Sequence, residues 1–118
     1  MIFEETGLEN VTIEFQALEE IMESAGFHYV YDYERITFDY KMVDKVRDDV
    51  YYFRVQGYAV EGEIPSPHSA VKIFQLLLGK HYYPHGVEYD EEFPKNIVEK
   101  CKKKISIIKE QIQSEAVS

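Results

Sequence analysis

The sequence predicts an α+β domain: an antiparallel sheet of about three to five strands, with three helices packed mainly on one face. Apolar residues recur at spacings of three and four near both ends of the chain and again in the middle, as amphipathic helices require. From Phe27 to Val60 the period drops to two, which marks antiparallel strands with one buried face. These strands follow one another too closely for the crossover helices of a parallel α/β fold.

Ile2 and Phe3 allow a short first strand. From Thr12 the pattern is helical, with Phe15, Leu18, Ile21, Met22 and Ala25 on one stripe, Glu19, Glu20 and Glu23 on the wet face, and Gly26 as a left-handed stop. Phe27, Tyr29, Tyr31 and Tyr33 then alternate with His28, Val30, Asp32 and Glu34, and Ile36, Phe38, Tyr40 and Met42 with Thr37, Asp39, Lys41 and Val43. The charged run Asp44 to Asp49 is the turn into a third strand, Val50 to Val60, in which Gly57 marks a bulge or a close backbone approach. Gly62, Pro65 and Pro67 close the sheet. Ser66-Pro67 reads as a helix cap with proline in the first turn, and Ala70, Val71, Phe74, Leu77 and Leu78 as the stripe of a second helix that Gly79 ends. After a short hairpin, Phe93-Pro94 opens a third helix carrying Ile97, Val98, Cys101, Ile105, Ile108 and Ile112. Residues 1–112 make one domain and residues 113–118 a polar, fraying tail.

Thirteen basic against twenty-two acidic residues give a net charge of −9. Such a field repels a phosphate backbone, which argues against nucleic-acid binding. The basic cluster Lys100, Lys102, Lys103 and Lys104 falls on a helix and reads as a solvated face. Cys101 is the only cysteine and sits among aliphatic residues, so it is expected to be a small buried hydrophobe and not part of a disulfide. Four glutamates and no basic residue among the first fifteen argue against a secretory leader, and no apolar run is long enough for a membrane span. A cytoplasmic location is expected.

The stretch Gly79-Lys80-His81-Tyr82-Tyr83-Pro84-His85-Gly86-Val87-Glu88-Tyr89 concentrates proton-transfer and ligand-capable side chains. Tyr83-Pro84-His85-Gly86 has the residue preferences of a type I turn. A tight hairpin there would place Tyr82 across from Val87 and His81 across from Glu88, with Cβ atoms about 5 Å apart. Three readings stand side by side. The groups tie a loop to the sheet; or Arg54, His81, Tyr83, His85 and Glu88 bind a small anionic or polar ligand; or His81, His85 and Glu88, with His68, hold a metal. The spacing matches no established metal signature. Arg54 and Gln56 share one strand face with Tyr52 and Tyr58, where an arginine can stack on rings or recognise an anion.

Gly7-Leu8-Glu9-Asn10, Tyr33-Glu34-Arg35-Ile36-Thr37-Phe38-Asp39, Arg54-Val55-Gln56-Gly57-Tyr58-Ala59-Val60-Glu61-Gly62 and Leu78-Gly79-Lys80-His81-Tyr82-Tyr83-Pro84-His85-Gly86-Val87-Glu88-Tyr89 resemble the bacterial YugN-like family over about residues 1 to 112. The resemblance implies a small bacterial α+β protein and carries over no catalytic residue and no cofactor. The sequence thus points to a non-enzymatic binding or interaction module, contacting its partner through the tyrosine-rich sheet face or the His–Tyr loop. The alternative is an anion-binding protein or a metal-dependent enzyme that uses the His81, His85 and Glu88 loop. The aromatic content can exceed what one small core hides, which admits a homodimer.

Overall fold

Strands dominate this chain. A computed structural model describes residues 1–32, 34–82 and 86–116. The order is β1 (Ile2–Phe3), β2 (Thr12–Glu14), α1 (Phe15–Ser24), β3 (His28–Tyr31), β4 (Arg35–Asp44), β5 (Asp49–Glu61), β6 (Ala70–Tyr82), β7 (Gly86–Glu88) and α2 (Lys95–Ala116). All pairings are antiparallel in one seven-stranded sheet, whose main path runs β1-β6-β5-β4-β3 with β2 and β7 also on β6. The expectation of three to five strands and three helices is corrected: the described residues form a seven-stranded sheet and two helices.

The error lies at residues 70–78, expected to be helical and found as strand β6. Val71 and Ile73 are buried, and so are Leu76 and Leu78, but the alternation breaks between the two pairs. Gly57 pairs with Ile73 while Gln56 pairs with Gln75, so Phe74 is an extra residue in the ladder. This bulge changes which parity faces inward. Buried positions 71, 73, 76 and 78 therefore imitate the mixed spacing of a helical stripe. Pairing on both edges settles the matter, with β5 on one side and β2, β1 and β7 in succession on the other. In the gap between β2 and β1, Asn10 donates to the Ile73 carbonyl at 2.7 Å and Ile73 donates to Val11 at 2.9 Å.

The expected Ser66-Pro67 cap has no helix to follow it, and the segment instead meets the start of α1. The carbonyls of Ser69 and Pro67 accept the first amides of α1, from Phe15 at 2.8 Å and Gln16 at 3.1 Å, where Glu14 supplies no side-chain cap. At the other end Gly26 adopts φ +93°, Gly26 donates to Glu23 and Phe27 donates to Met22, which is the Schellman pattern. The Lys104 ammonium adds a 2.5 Å bond to the Ala25 carbonyl from α2 and lies 4.3 Å from the Tyr40 ring centre.

Both helices cover the same sheet face. Phe15, Leu18, Ile21 and Met22 of α1 and Ile97, Cys101, Ile105, Ile108 and Ile112 of α2 close over Phe38, Phe53, Val55, Ile73, Leu76 and Leu78. Burial pushes the Cys101 thiol up to about 12, so it serves as packing. α2 runs through Ala116, past Gln113 where the tail was expected to begin. Among the described residues no helix is long and apolar enough to cross a membrane.

Two outcomes follow from this packing. A Cβ on Gly57 would lie 2.8 Å from Val71 Cγ1 and 3.1 Å from the Lys72 carbonyl oxygen. Gly57→Ala is expected to lower the urea-unfolding free energy by about 1–2 kcal/mol, overpacking outweighing the entropy gained in the unfolded chain. The second concerns Tyr29, whose hydroxyl donates to Glu19; that bond, reinforced by burial, raises the phenol from 10.0 to about 12. The contribution is complete below pH 10 and is lost as pH rises through about 12. Tyr29→Phe should therefore be less stable than wild type near neutrality, by about 1–2 kcal/mol, with the gap closing towards the alkaline limit in denaturant titrations run across that range.

Candidate functional site

Because α1 and α2 lie on one face, alternation in β4, β5 and β6 directs every second side chain to a face without helices. The register sets the neighbours there. Arg35 stands opposite Tyr58, Thr37 opposite Gln56, Asp39 opposite Arg54 and Lys41 opposite Tyr52. On the other side of β5, Tyr58 meets Lys72, Gln56 meets Gln75, Arg54 meets Leu77 and Tyr52 meets Gly79.

Arg54 is the centre of this face. Its Nε donates to Asp39 Oδ1 at 2.9 Å, its Nη1 donates to the Tyr89 hydroxyl at 2.6 Å, and its guanidinium carbon lies 5.6 Å from the Tyr52 ring centre. Arg54 and Asp39 are each 24% exposed. Burial opposes the charge on Arg54, but Asp39 and Tyr89 outweigh it and raise its pKa further. Burial also raises the Asp39 carboxyl, a shift that its pairing with Arg54 only partly offsets. The guanidinium is thus charged and held in one orientation.

Beside it runs a polar ladder. Gln75 donates to Gln56 at 2.8 Å, and Gln56 donates to Thr37 at 3.4 Å. Aromatic rings fill the flanks: Tyr58 packs on Phe74 at 5.7 Å, Arg35 lies 5.9 Å from the same Phe74 ring, and Tyr52 meets His81 edge-on at 5.9 Å. Glu4, Glu5 and Glu9 collect at the β1 margin, around a cavity of about 310 Å³ next to Phe74 and Gln75.

The sequence-derived site residues divide here. β6 and β7 do form an antiparallel hairpin, but its register is Lys80 with Glu88, His81 with Val87 and Tyr82 with Gly86. This is one residue from the expected pairing, and a one-residue shift sends side chains to the opposite face. Glu88 therefore shares the helix-side face with Lys80, while His81 shares the open face with Tyr52 and Arg54. His81 and Glu88 are not brought together. Tyr83 and His85 lie outside the described residues. His68 stands apart, paired with Glu14 at 2.8 Å on the surface. Among the described residues no group of three or more His, Cys, Asp or Glu is placed to hold a metal ion. On the helix side of the hairpin, Lys80 approaches Asp49 at 3.5 Å, and the Tyr82 hydroxyl donates to Glu91.

Sequence reasoning missed Asp39 and Tyr89 as the partners of Arg54. The Asp39 signal was present, since a turn at residues 45–48 places residues summing to 93 opposite each other. Tyr89 carries no such signal, because it reaches Arg54 across the hairpin from beyond the end of β7.

A family model described as YugN-like family matches residues 4–111. The chain belongs to the YugN-like family. One relative, "Uncharacterized protein YlbA" of Bacillus subtilis (strain 168), is 45% identical over 104 residues, covering 85% of each chain. A solved YugN-like structure, "uncharacterized conserved protein YugN from Geobacillus kaustophilus HTA426", is 42% identical and superposes with a TM-score of 0.84, covering 97% of this chain and 96% of that one.

Gly79 supplies a test of the Arg54 clamp. A Cβ there would meet Val87 Cγ1 at 2.3 Å and Tyr89 Cε1 at 2.9 Å, so the absence of a side chain lets the Tyr89 ring lie against the sheet. Tyr89→Phe should cost about 1–2 kcal/mol through the lost bond to a charged group. Combined with Gly79→Ala, the loss should be smaller than the sum of the two single variants, because both act on the same ring. A double-mutant cycle by chemical denaturation measures this coupling.

Proposed function

We propose that this chain is a cytoplasmic, non-catalytic binding module whose contact surface is the helix-free sheet face centred on Arg54, and that its partner is an acidic protein segment. The observation that carries the reading is the fixed guanidinium, held by Asp39 and Tyr89 and backed by Tyr52. An arginine whose orientation is set before contact loses little side-chain entropy on binding. Arginine and tyrosine are also the residue types on which interface energy concentrates.

Charge supports the choice of partner. Arg35, Lys41, Arg54 and Lys72 project from this face beside Asp39, with Glu4, Glu5 and Glu9 confined to its β1 margin, although the chain as a whole carries −9. Cations gathered on one face of an acidic protein favour an incoming acid there and repel it elsewhere. The Thr37, Gln56 and Gln75 ladder offers amide groups at the same level, suited to hydrogen bonds with an extended backbone.

Selection of a displayed random peptide library against the wild-type protein tests it. The enriched peptides should be rich in Asp and Glu, bind more weakly as salt rises, and lose at least about tenfold in affinity (about 1.4 kcal/mol) towards Arg54→Ala, while Lys102→Ala on α2 binds as wild type. Peptides without acidic enrichment, or binding that ignores Arg54, would contradict the proposal. Inorganic phosphate and citrate, titrated alone, show whether an anion without a peptide suffices.

A further inference from the structure

Along α2 runs a stripe that no other element covers among the described residues. Lys100, Lys103, Ile107, Glu110 and Ser114 follow one another at spacings of three and four, with Lys104, Gln111 and Glu115 beside them. The buried stripe of the same helix, Ile97, Cys101, Ile105, Ile108 and Ile112, lies to one side. Two open cavities follow this flank and share Ile107. One, of about 280 Å³, is bounded by Tyr40, Lys100, Lys103, Lys104 and Ile107. The other, of about 470 Å³, is bounded by Ile21, Ile107, Glu110, Gln111, Ser114 and Glu115. Ile107 is 48% exposed where they meet, an isoleucine in water on an otherwise polar stripe.

The charges are sorted. All the lysines of the stripe precede Ile107 and both glutamates follow it. Among the described residues neither Lys100 nor Lys103 forms an ion pair, nor do Glu110 and Glu115. A stripe with cations at one end, anions at the other and an apolar residue between them is complementary to itself when reversed. We propose that a second copy of this chain docks here, α2 against α2 in antiparallel orientation about a twofold axis at Ile107. That axis sets Ile107 on its own counterpart, Lys104 near Glu110 of the other copy and Lys103 near Gln111. A twofold interface uses one patch on both subunits, as this arrangement requires. The helix face from Lys100 to Ser114 is about 22 Å long at 1.5 Å per residue, short for a standard interface. The dimer is therefore weak and concentration-dependent. It leaves the Arg54 face free, and the two proposals stand or fall separately.

Sedimentation or light scattering across a concentration series should show the mass rising from 13.9 kDa towards twice that value, and the rise should weaken with added salt. Two charge variants make the decisive test. Lys100→Glu with Lys103→Glu and Lys104→Glu gives an all-acidic stripe, and Glu110→Lys with Glu115→Lys an all-basic one. Each alone should remain monomeric at concentrations where wild type associates, and mixing the two should restore association at least to the wild-type level. Lys102→Glu, off the stripe, should behave as wild type. Circular dichroism confirms that each variant folds. A wild type that stays monomeric throughout, or charge variants that fail to associate on mixing, would overturn the proposal.

Discussion

Strand β6 is the constraint on which the rest of this structure depends. Its thirteen residues pair with β5 along one edge and with β2, β1 and β7 along the other. Remove it and three short strands lose the only strand they pair with among the described residues. The same strand supplies Ile73, Leu76 and Leu78 to the core and Leu77, Gln75 and His81 to the open face. The bulge at Phe74 lets one strand serve both, since it restores inward-facing positions after an interruption. It also turns the Phe74 ring outward against Tyr58 and Arg35.

The division between the two faces follows. One receives both helices and becomes the core. The other has no apolar cover and is stabilised by polar and aromatic side chains bonded to each other across strands, Asp39 to Arg54 to Tyr89 and Thr37 to Gln56 to Gln75. Cross-strand pairs of this kind each contribute a few tenths to about 1 kcal/mol. Their greater effect here is order. A surface whose side chains are already fixed can meet a partner with little further loss of entropy, which is the physical basis for the proposal that this face makes the contact.

Much of this was legible in the residues. The alternation from Phe27 to Val60, the charged turn at 44–49 and the Gly26 stop are local signals, and each corresponds to a local energy term. The turn even encodes the Asp39–Arg54 pair, since its length fixes which residues oppose. The pairing of β6 with β7 was legible as an antiparallel return but not in its register. Moving the pairing by a single residue took Glu88 away from His81 and placed it beside Lys80.

The sequence alone therefore determined the alternating strands, the helix stops, the acidic charge and the family, because these rest on neighbours within a few positions. Tertiary structure decided that residues 70–82 form a strand, which register β7 takes, and which side chains surround Arg54. Each of these depends on hydrogen bonds between segments far apart in the chain. A helix satisfies its backbone internally, whereas a strand needs partners on its edges. Here Val11 meets Ile73, and Tyr89 meets Arg54, only once those edges are filled.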